Sequence, residues 1–411
     1  MSKRQAVFLA AALFLAGCAN LPGPLAPTPE KPASCPPCAA CPTCPAPEKP
    51  ADKPQPPAFS RVFTAVAWSD LPGWSDDAHA AAWPAFRQSC RGLRSRAGGE
   101  AWRAVCAQAE QVDGKSDVAV RQFFEANLRP YAVSTADTTA VDGMVTGYYE
   151  PLLNGSRKPD RRNAFPVHGV PDNLLTIELG DLFPELKGKR VRGRVEGNKV
   201  VPYWSRGEIL AQESRLPAKT LAWVDDAIEL FFLQIQGSGR IRLPDGSMLR
   251  VNYADQNGHP YRSIGRILVD RGDLKLEEAS MQGIQAWARA NPARLNELLD
   301  SNPSYVFFRE MPASDDGPIG ALGVPLTAER SIAIDPRSIP LGAPVFLATT
   351  RPNSAQPMNR LVLAQDTGGA IRGAVRADFF WGFGREAGAQ AGRMKQNGRM
   401  WVLLPPGYPL D

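Results

Sequence analysis

From Gly143 to the C-terminus the chain is written in short apolar runs separated by Gly- and Pro-bearing turns. They read as strands at Gly143–Pro151, Val200–Trp204, Phe231–Arg240, Met248–Tyr253, Ser304–Arg309, Ser331–Ile334, Pro344–Ala348, Arg360–Gln365, Ala374–Phe379 and Met400–Leu404. Only two short helices, near Arg206–Ser214 and Leu276–Ala290, interrupt them. Many strands of this length without alternating helices predict β-barrels and exclude a repeating βαβ sheet. Ahead of them, residues 59–128 read as helical. Ala80–Arg94 and Glu100–Ala109 carry Trp83, Phe86, Leu93, Trp102 and Val105 at helical spacing, and Val118–Leu128 stops before Arg129-Pro130.

The N-terminus reads as an address. Lys3 and Arg4 precede an apolar run, Ala6–Ala16, that is shorter than the ~20 residues of a permanent span and has the shape of an export signal. Its end, Leu15-Ala16-Gly17-Cys18, resembles a bacterial lipobox, in which the cysteine is lipidated and becomes the mature N-terminus. Ala19 follows where an Asp would resemble an inner-membrane retention signal, so the periplasmic face of the outer membrane is the expected address. Residues 19–57 hold 14 of the 39 prolines and few apolar side chains, the composition of an extended tether. Within it Cys35, Cys38, Cys41 and Cys44 have CxxC spacing, compatible with disulfides or with a metal. Cys90 and Cys106 either staple two helices or stay buried as thiols.

Composition excludes several classes. A net charge of +5 without a basic block gives no footprint for nucleic acid. His79, His168 and His259 lie far apart, which argues against a His-ligated metal, and no cofactor motif is present.

The chemistry concentrates near the C-terminus. An apolar strand delivers Asp366 into a Thr-Gly-Gly turn, and Asp378 follows 12 residues later beside Phe379, Phe380 and Trp381. A carboxyl against aromatic surface loses solvation, keeps its proton to higher pH and suits a general acid. Asp335, before Pro336, is either a third acid or an Asx-turn residue. A single Asp-Thr-Gly is a weak sign of an aspartic protease, which needs two. Upstream, alternation in Phe231–Arg240 puts Gln234 and Gln236 on one strand face before Gly237-Ser238-Gly239. Joined by Tyr148, Tyr149, Tyr253 and Tyr261, these amides suit sugar binding; the alternative is a half-buried strand with a solvated face.

Taken in order, GMVTGYYEP (143–151), FLQIQGSGR (232–240), NYADQNGHPYRSIGR (252–266), NPSYVFFR (302–309), residues 326–341 and residues 364–382 closely resemble the membrane-bound lytic murein transglycosylase A family. The last third is similar to the three-aspartate domain, its namesakes matching Asp335, Asp366 and Asp378. The resemblance implies a double-psi β-barrel with a second small β-barrel domain inserted and a substrate groove between them. The implied segments are 1–17 signal peptide, 18–57 lipidated Cys18 and tether, 58–151 helices and first part of the barrel, 152–303 inserted β domain, and 304–411 the rest of the barrel.

By the same resemblance the chain would cleave the β-1,4 bond between N-acetylmuramic acid and N-acetylglucosamine and leave a 1,6-anhydromuramyl end. Asp378 matches the family's acid and base, Asp366 would support it, and Thr146 with the Gln234–Gly239 segment would hold the glycan. Peptidoglycan strands, the membrane through the lipid anchor, and wall-synthesis proteins are the implied partners. Two further readings remain open: a hydrolytic muramidase using Asp366 and Asp378 as a pair, and a non-catalytic peptidoglycan-binding lipoprotein.

Overall fold

The computed structural model describes residues 61–135, 141–186, 189 and 191–410. The signal segment, Cys18 and the cysteines at 35, 38, 41 and 44 lie outside the described residues. The first segment comprises β1 (Arg61–Ala65), α1 (Trp83–Leu93), α2 (Arg103–Gln108), α3 (Asp117–Asn127), β2 (Arg129–Thr135) and β3 (Gly143–Glu150). Next come β4 (Leu152–Ser156), β5 (Phe165–His168), β6 (Leu175–Ile177), β7 (Val191–Glu196), β8 (Lys199–Pro202), α4 (Arg206–Ala211) and β9 (Thr220–Val224). They are followed by α5 (Ala227–Gln236), β10 (Ser238–Arg242), β11 (Met248–Gln256), α6 (Ile264–Asp270), α7 (Met281–Ala290), α8 (Leu295–Asp300) and β12 (Val306–Met311). The last segment holds β13 (Ser331–Ile334), β14 (Pro344–Thr350), β15 (Pro357–Asp366), β16 (Arg376–Phe383), α9 (Gly384–Ala391) and β17 (Lys395–Leu404).

The described residues are mainly β, with helices in each of these segments. β17 pairs with β14 on one edge and divides the other between β3 and β2. The order β17-β14-β15-β13-β16-β3 therefore returns to β17 and closes a barrel, with β2 and β1 appended outside the ring. Fully buried runs such as Ser331–Ile334 fit strands packed on both faces. On one side lies the core shared with α1 and α3, where Trp83, Phe86, Phe123 and Phe124 meet edge to face or tilted. The Cys90 and Cys106 sulfurs are bonded, joining α1 to α2. Arg330, just before β13, holds this helical segment to the barrel. Its guanidinium donates to both carboxylate oxygens of the buried Asp77, at 2.8 and 3.0 Å.

A second sheet, β12-β11-β10-β4-β9-β5, carries its own apolar core. It reaches Met311, because β12 pairs with β11, so the expected boundary at 303 cuts this sheet short. A third, small sheet is β6-β7-β8.

Further sequence expectations are corrected, the first being that only two short helices interrupt the strands: among the described residues six, α4 to α9, do. Residues 227–236 form α5, not a strand. Asp226 caps its start by accepting from Ile228 and Glu229 N–H, and Gly237 ends it in the left-handed region at φ +77. Phe231, Phe232 and Leu233 are all buried, as three successive residues on a buried helix can be and an alternating strand face cannot. The misleading alternation was Phe232-Leu-Gln-Ile-Gln-Gly, too short to separate the two periods. The N-terminal stretch is also not wholly helical: Arg61–Ala65 pairs antiparallel with β2.

Candidate active site

The barrel wall lines up four positions across four adjacent strands. Thr146 on β3 is the register partner of Asp378 on β16, Asp378 of Ala333 on β13, and Ala333 of Asp366 on β15. Paired residues on neighbouring strands share a face, so the row sets one hydroxyl and two carboxylates on one surface. A bulge between Ile332 and Ala333 brings Asp366 into this register. Gln365, fully buried, anchors the bulge by accepting from the Ser331 hydroxyl at 2.6 Å and donating to the Ala85 carbonyl at 2.7 Å.

The two acids are held differently. Asp366 accepts the Ala321 and Thr367 N–H groups on Oδ1, each at 2.9 Å, and the Tyr148 hydroxyl on Oδ2 at 3.0 Å. Burial raises its pKa, against those three bonds, and the neighbouring Asp378 charge adds to the rise; the result is about 6. Asp378 accepts the Thr146 hydroxyl on Oδ1 at 2.6 Å, and its Oδ2 has no hydrogen-bond partner among the described residues. Burial lifts its pKa as well, opposed by the Thr146 bond and the Arg376 charge. Tyr148, buried against Phe380 and beside both acids, is pushed well above the ordinary phenol range by burial first and the acids second. Both carboxyls keep part of their surface exposed, so a ligand can reach them, while burial raises the pKa of each.

Asp335 is not part of the row. It is fully buried at the end of β13, where its carboxylate accepts from Arg337 and from the Gly373 N–H at 3.0 Å. Burial alone would raise its pKa, but those donors outweigh it and hold the carboxyl below its usual range. Its Oδ1 also accepts the Arg337 N–H two residues on, an Asx-turn. Asp335 thus fixes the turn that joins the two strands carrying the acids.

The residues expected to bind glycan divide. Thr146 and Tyr148 face the acids. Tyr149, one residue on, faces the other side of β3, buried, its hydroxyl 3.7 Å from Met281 Sδ. Gly147 makes that side possible, since a Cβ there would lie 2.7 Å from Trp381 and 2.9 Å from Ala391. Gln236 accepts the Tyr149 N–H at 3.0 Å and ties α5 to β3, while Gln234 is buried in α5 against Tyr305. The expected shared strand face of Gln234 and Gln236 is therefore replaced by a helix. Gly237 is the helix cap and its carbonyl accepts the Tyr253 N–H at 2.6 Å. Ser238 and Gly239 open β10, both buried, and Tyr261 is exposed in the loop before α6.

Two charged residues went unread in the sequence. Arg376, two positions before Asp378 on the same face, donates to the Thr146 hydroxyl at 2.9 Å; that spacing was the available signal. Arg240 on β10 pairs with the buried Glu150 at 3.0 Å and lies over the Phe383 ring, linking the second sheet to the barrel. No local pattern announces that pair, whose partners are 90 residues apart.

Comparison with known proteins places these features among relatives. Residues 144–309 match the family described as MltA specific insert domain, and residues 330–404 match the 3D domain. The membrane-bound lytic murein transglycosylase A of Escherichia coli (strain K12) is 34% identical over 289 residues, covering 67% of this chain and 71% of that protein. The crystal structure of MltA from Neisseria gonorrhoeae (monoclinic form) superposes with a TM-score of 0.75 at 42% identity, covering 88% of this chain and 99% of that one. E. coli MltA with bound chitohexaose gives a TM-score of 0.62 at 29% identity, over 87% of this chain and 99% of that one.

Proposed function

This chain belongs to the membrane-bound lytic murein transglycosylase A family and is a peptidoglycan lytic transglycosylase; from that premise we propose that Asp378 alone supplies its acid and base. The observation that carries the assignment is the unequal bonding of the two acids. Asp366 has both oxygens committed to three donors, whereas Asp378 keeps Oδ2 open to a ligand. A paired hydrolase needs its second carboxylate free to activate water, which this bonding disfavours.

Protonated Asp378 donates to the glycosidic oxygen as the bond from muramyl C1 breaks and positive charge develops at C1. The resulting carboxylate takes the proton of the muramyl C6 hydroxyl, and O6 closes on C1. One bond to C1 breaks, one forms, and no water is consumed. An attacking group within the same sugar avoids the entropy of recruiting a second molecule, an advantage reaching several orders of magnitude. Asp366 tunes the pair, its charge favouring the protonated state of Asp378. Thr146 and Tyr148 line the groove, and the glycan bound by the E. coli relative supports a polymeric sugar as occupant.

The closed six-strand ring supports reading the barrel as the double-psi type, completed by the first and last segments around an inserted domain. The lipobox at Cys18 supports a lipid anchor at the periplasmic face of the outer membrane, with residues 19–57 as reach and wall-synthesis proteins as neighbours. The deciding experiment digests sacculi with purified protein and weighs the products. Anhydro ends lighter than hydrolysed ends by one water are expected; reducing ends would overturn the mechanism. A variant starting at Phe59 should digest sacculi too, and an inert but folded body would show that the tether does more than reach.

A further inference from the structure

We propose that Arg376 is a positioning residue that decides which oxygen of Asp378 carries the proton. The inference rests on Asp378 being the acid. A guanidinium can only donate hydrogen bonds. Arg376 Nη2 lies 2.9 Å from Thr146 Oγ1, so that oxygen accepts there. The hydroxyl's own proton is then left to point at Asp378 Oδ1, 2.6 Å away. An oxygen receiving a donor at that distance is a poor place for the carboxyl proton, which therefore sits on Oδ2, the oxygen open to a ligand.

Arg376 is itself held in place. It is buried, and a second guanidinium nitrogen reaches the Met144 carbonyl at 3.3 Å. Without it the Thr146 hydroxyl can turn and accept from Asp378, and the acid's proton divides between a productive and an unproductive oxygen. The other groups about Asp378 do not replace this function. Across β13 lies Asp366, with Tyr148 bonded to it; β13 itself offers only Ala333. Lys395 of β17 is exposed at the register of Thr146, and Arg385 and Glu386 of α9 are exposed.

The test measures kcat, KM and pH profiles on glycan strands for Arg376→Met, Thr146→Val, their double variant and Arg376→Lys. Each of the first two should lower kcat about ten-fold, less than the ~10²–10⁴-fold expected for loss of the acid itself, with KM near wild type. Because Arg376 acts through Thr146, the double variant should lose no more kcat than Thr146→Val alone. Arg376→Met also removes a charge that favours the carboxylate, so the alkaline limb should move to higher pH. Arg376→Lys keeps the charge and should leave the limb in place. Losses of kcat that multiply in the double variant, or an unmoved limb in Arg376→Met, would overturn the proposal. If Arg376→Met does not fold, Arg376→Lys decides: a single ammonium cannot span the Met144 carbonyl and Thr146 as the two guanidinium nitrogens do, so it should lower kcat in the wild-type background and not beside Thr146→Val, and equal losses in both would refute the relay. Asp378→Asn is measured alongside. Near-wild-type turnover there would remove the acid assignment itself, whereas an inert Asp378→Asn with independent Arg376 and Thr146 effects would remove only the relay.

Discussion

Asp366 and Asp378 are both register partners of Ala333, one from each side, so a single strand separates the two acids in the barrel wall. With strands ~4.8 Å apart, their backbones lie about 10 Å from each other, and among the described residues no hydrogen bond joins the two carboxyls. The Asp378 charge adds to the rise in the Asp366 pKa without merging the two groups.

Asp378→Asn should lower turnover by about 10²–10⁴-fold, the usual weight of general acid–base catalysis, with glycan binding retained. Asp366→Asn should cost less and shift the alkaline limb of the pH profile downward, because a lost negative neighbour lowers the pKa of Asp378. Equal losses in both variants, with reducing-end products, would point to a paired hydrolase.

The same residue predicts a stability trade. The Asp366 pKa is about 6 in the folded chain against an ordinary 3.8, so the folded state binds more protons between those values. Stability contributed by this group is present below the lower value and is lost as pH rises to about 6. Asp366→Asn, which keeps an oxygen for the Ala321 and Thr367 N–H groups, should therefore be the more stable protein at pH ~7.5, by up to about 3 kcal/mol. Urea unfolding of both proteins at pH ~4.5 and ~7.5 checks the sign: the gain should shrink at the lower pH.

Asp77→Ala leaves the Arg330 guanidinium buried without its counter-charge and strips the Leu361 N–H of its acceptor. Breaking a buried pair in this way costs about 3–5 kcal/mol. Denaturant unfolding should show that loss, and a change under ~1 kcal/mol, the size of an exposed pair, would mean solvent reaches the site.

Reducing the Cys90–Cys106 bond frees a loop of 16-residue separation between α1 and α2. A loop of that size corresponds to about 3 kcal/mol of stability. The Cys90→Ser/Cys106→Ser protein should melt several degrees lower, and reductant should lower the melting point of the wild type but not of the variant.

The barrel strands were readable because Ser331–Ile334, Pro344–Ala348 and Met400–Leu404 are apolar on both faces and bounded by turn residues. Asp366 and Asp378 stood out through their glycine and aromatic neighbours. What escaped reading depended on distant partners. β2 contains Pro130, which looks like a break, yet it lies opposite Leu403 of β17, an arrangement no local pattern shows. Tyr149 looked like a ligand-binding twin of Tyr148, but adjacent strand residues face opposite ways and only one meets the acids. The α5 segment looks like a strand in the sequence because its helix caps, Asp226 and Gly237, lie at the margins of the alternating stretch.

The Thr146–Asp378 bond joins residues 232 positions apart, and β3 is held in the ring by β16 and by the final strand. With Asp378 as the proposed acid, a nascent chain cannot assemble this pair until β16 and β17 have been made, and long-range closure of this kind is slow. On that proposal synthesis order acts as a safety catch: a copy stalled before β16 is an unarmed one.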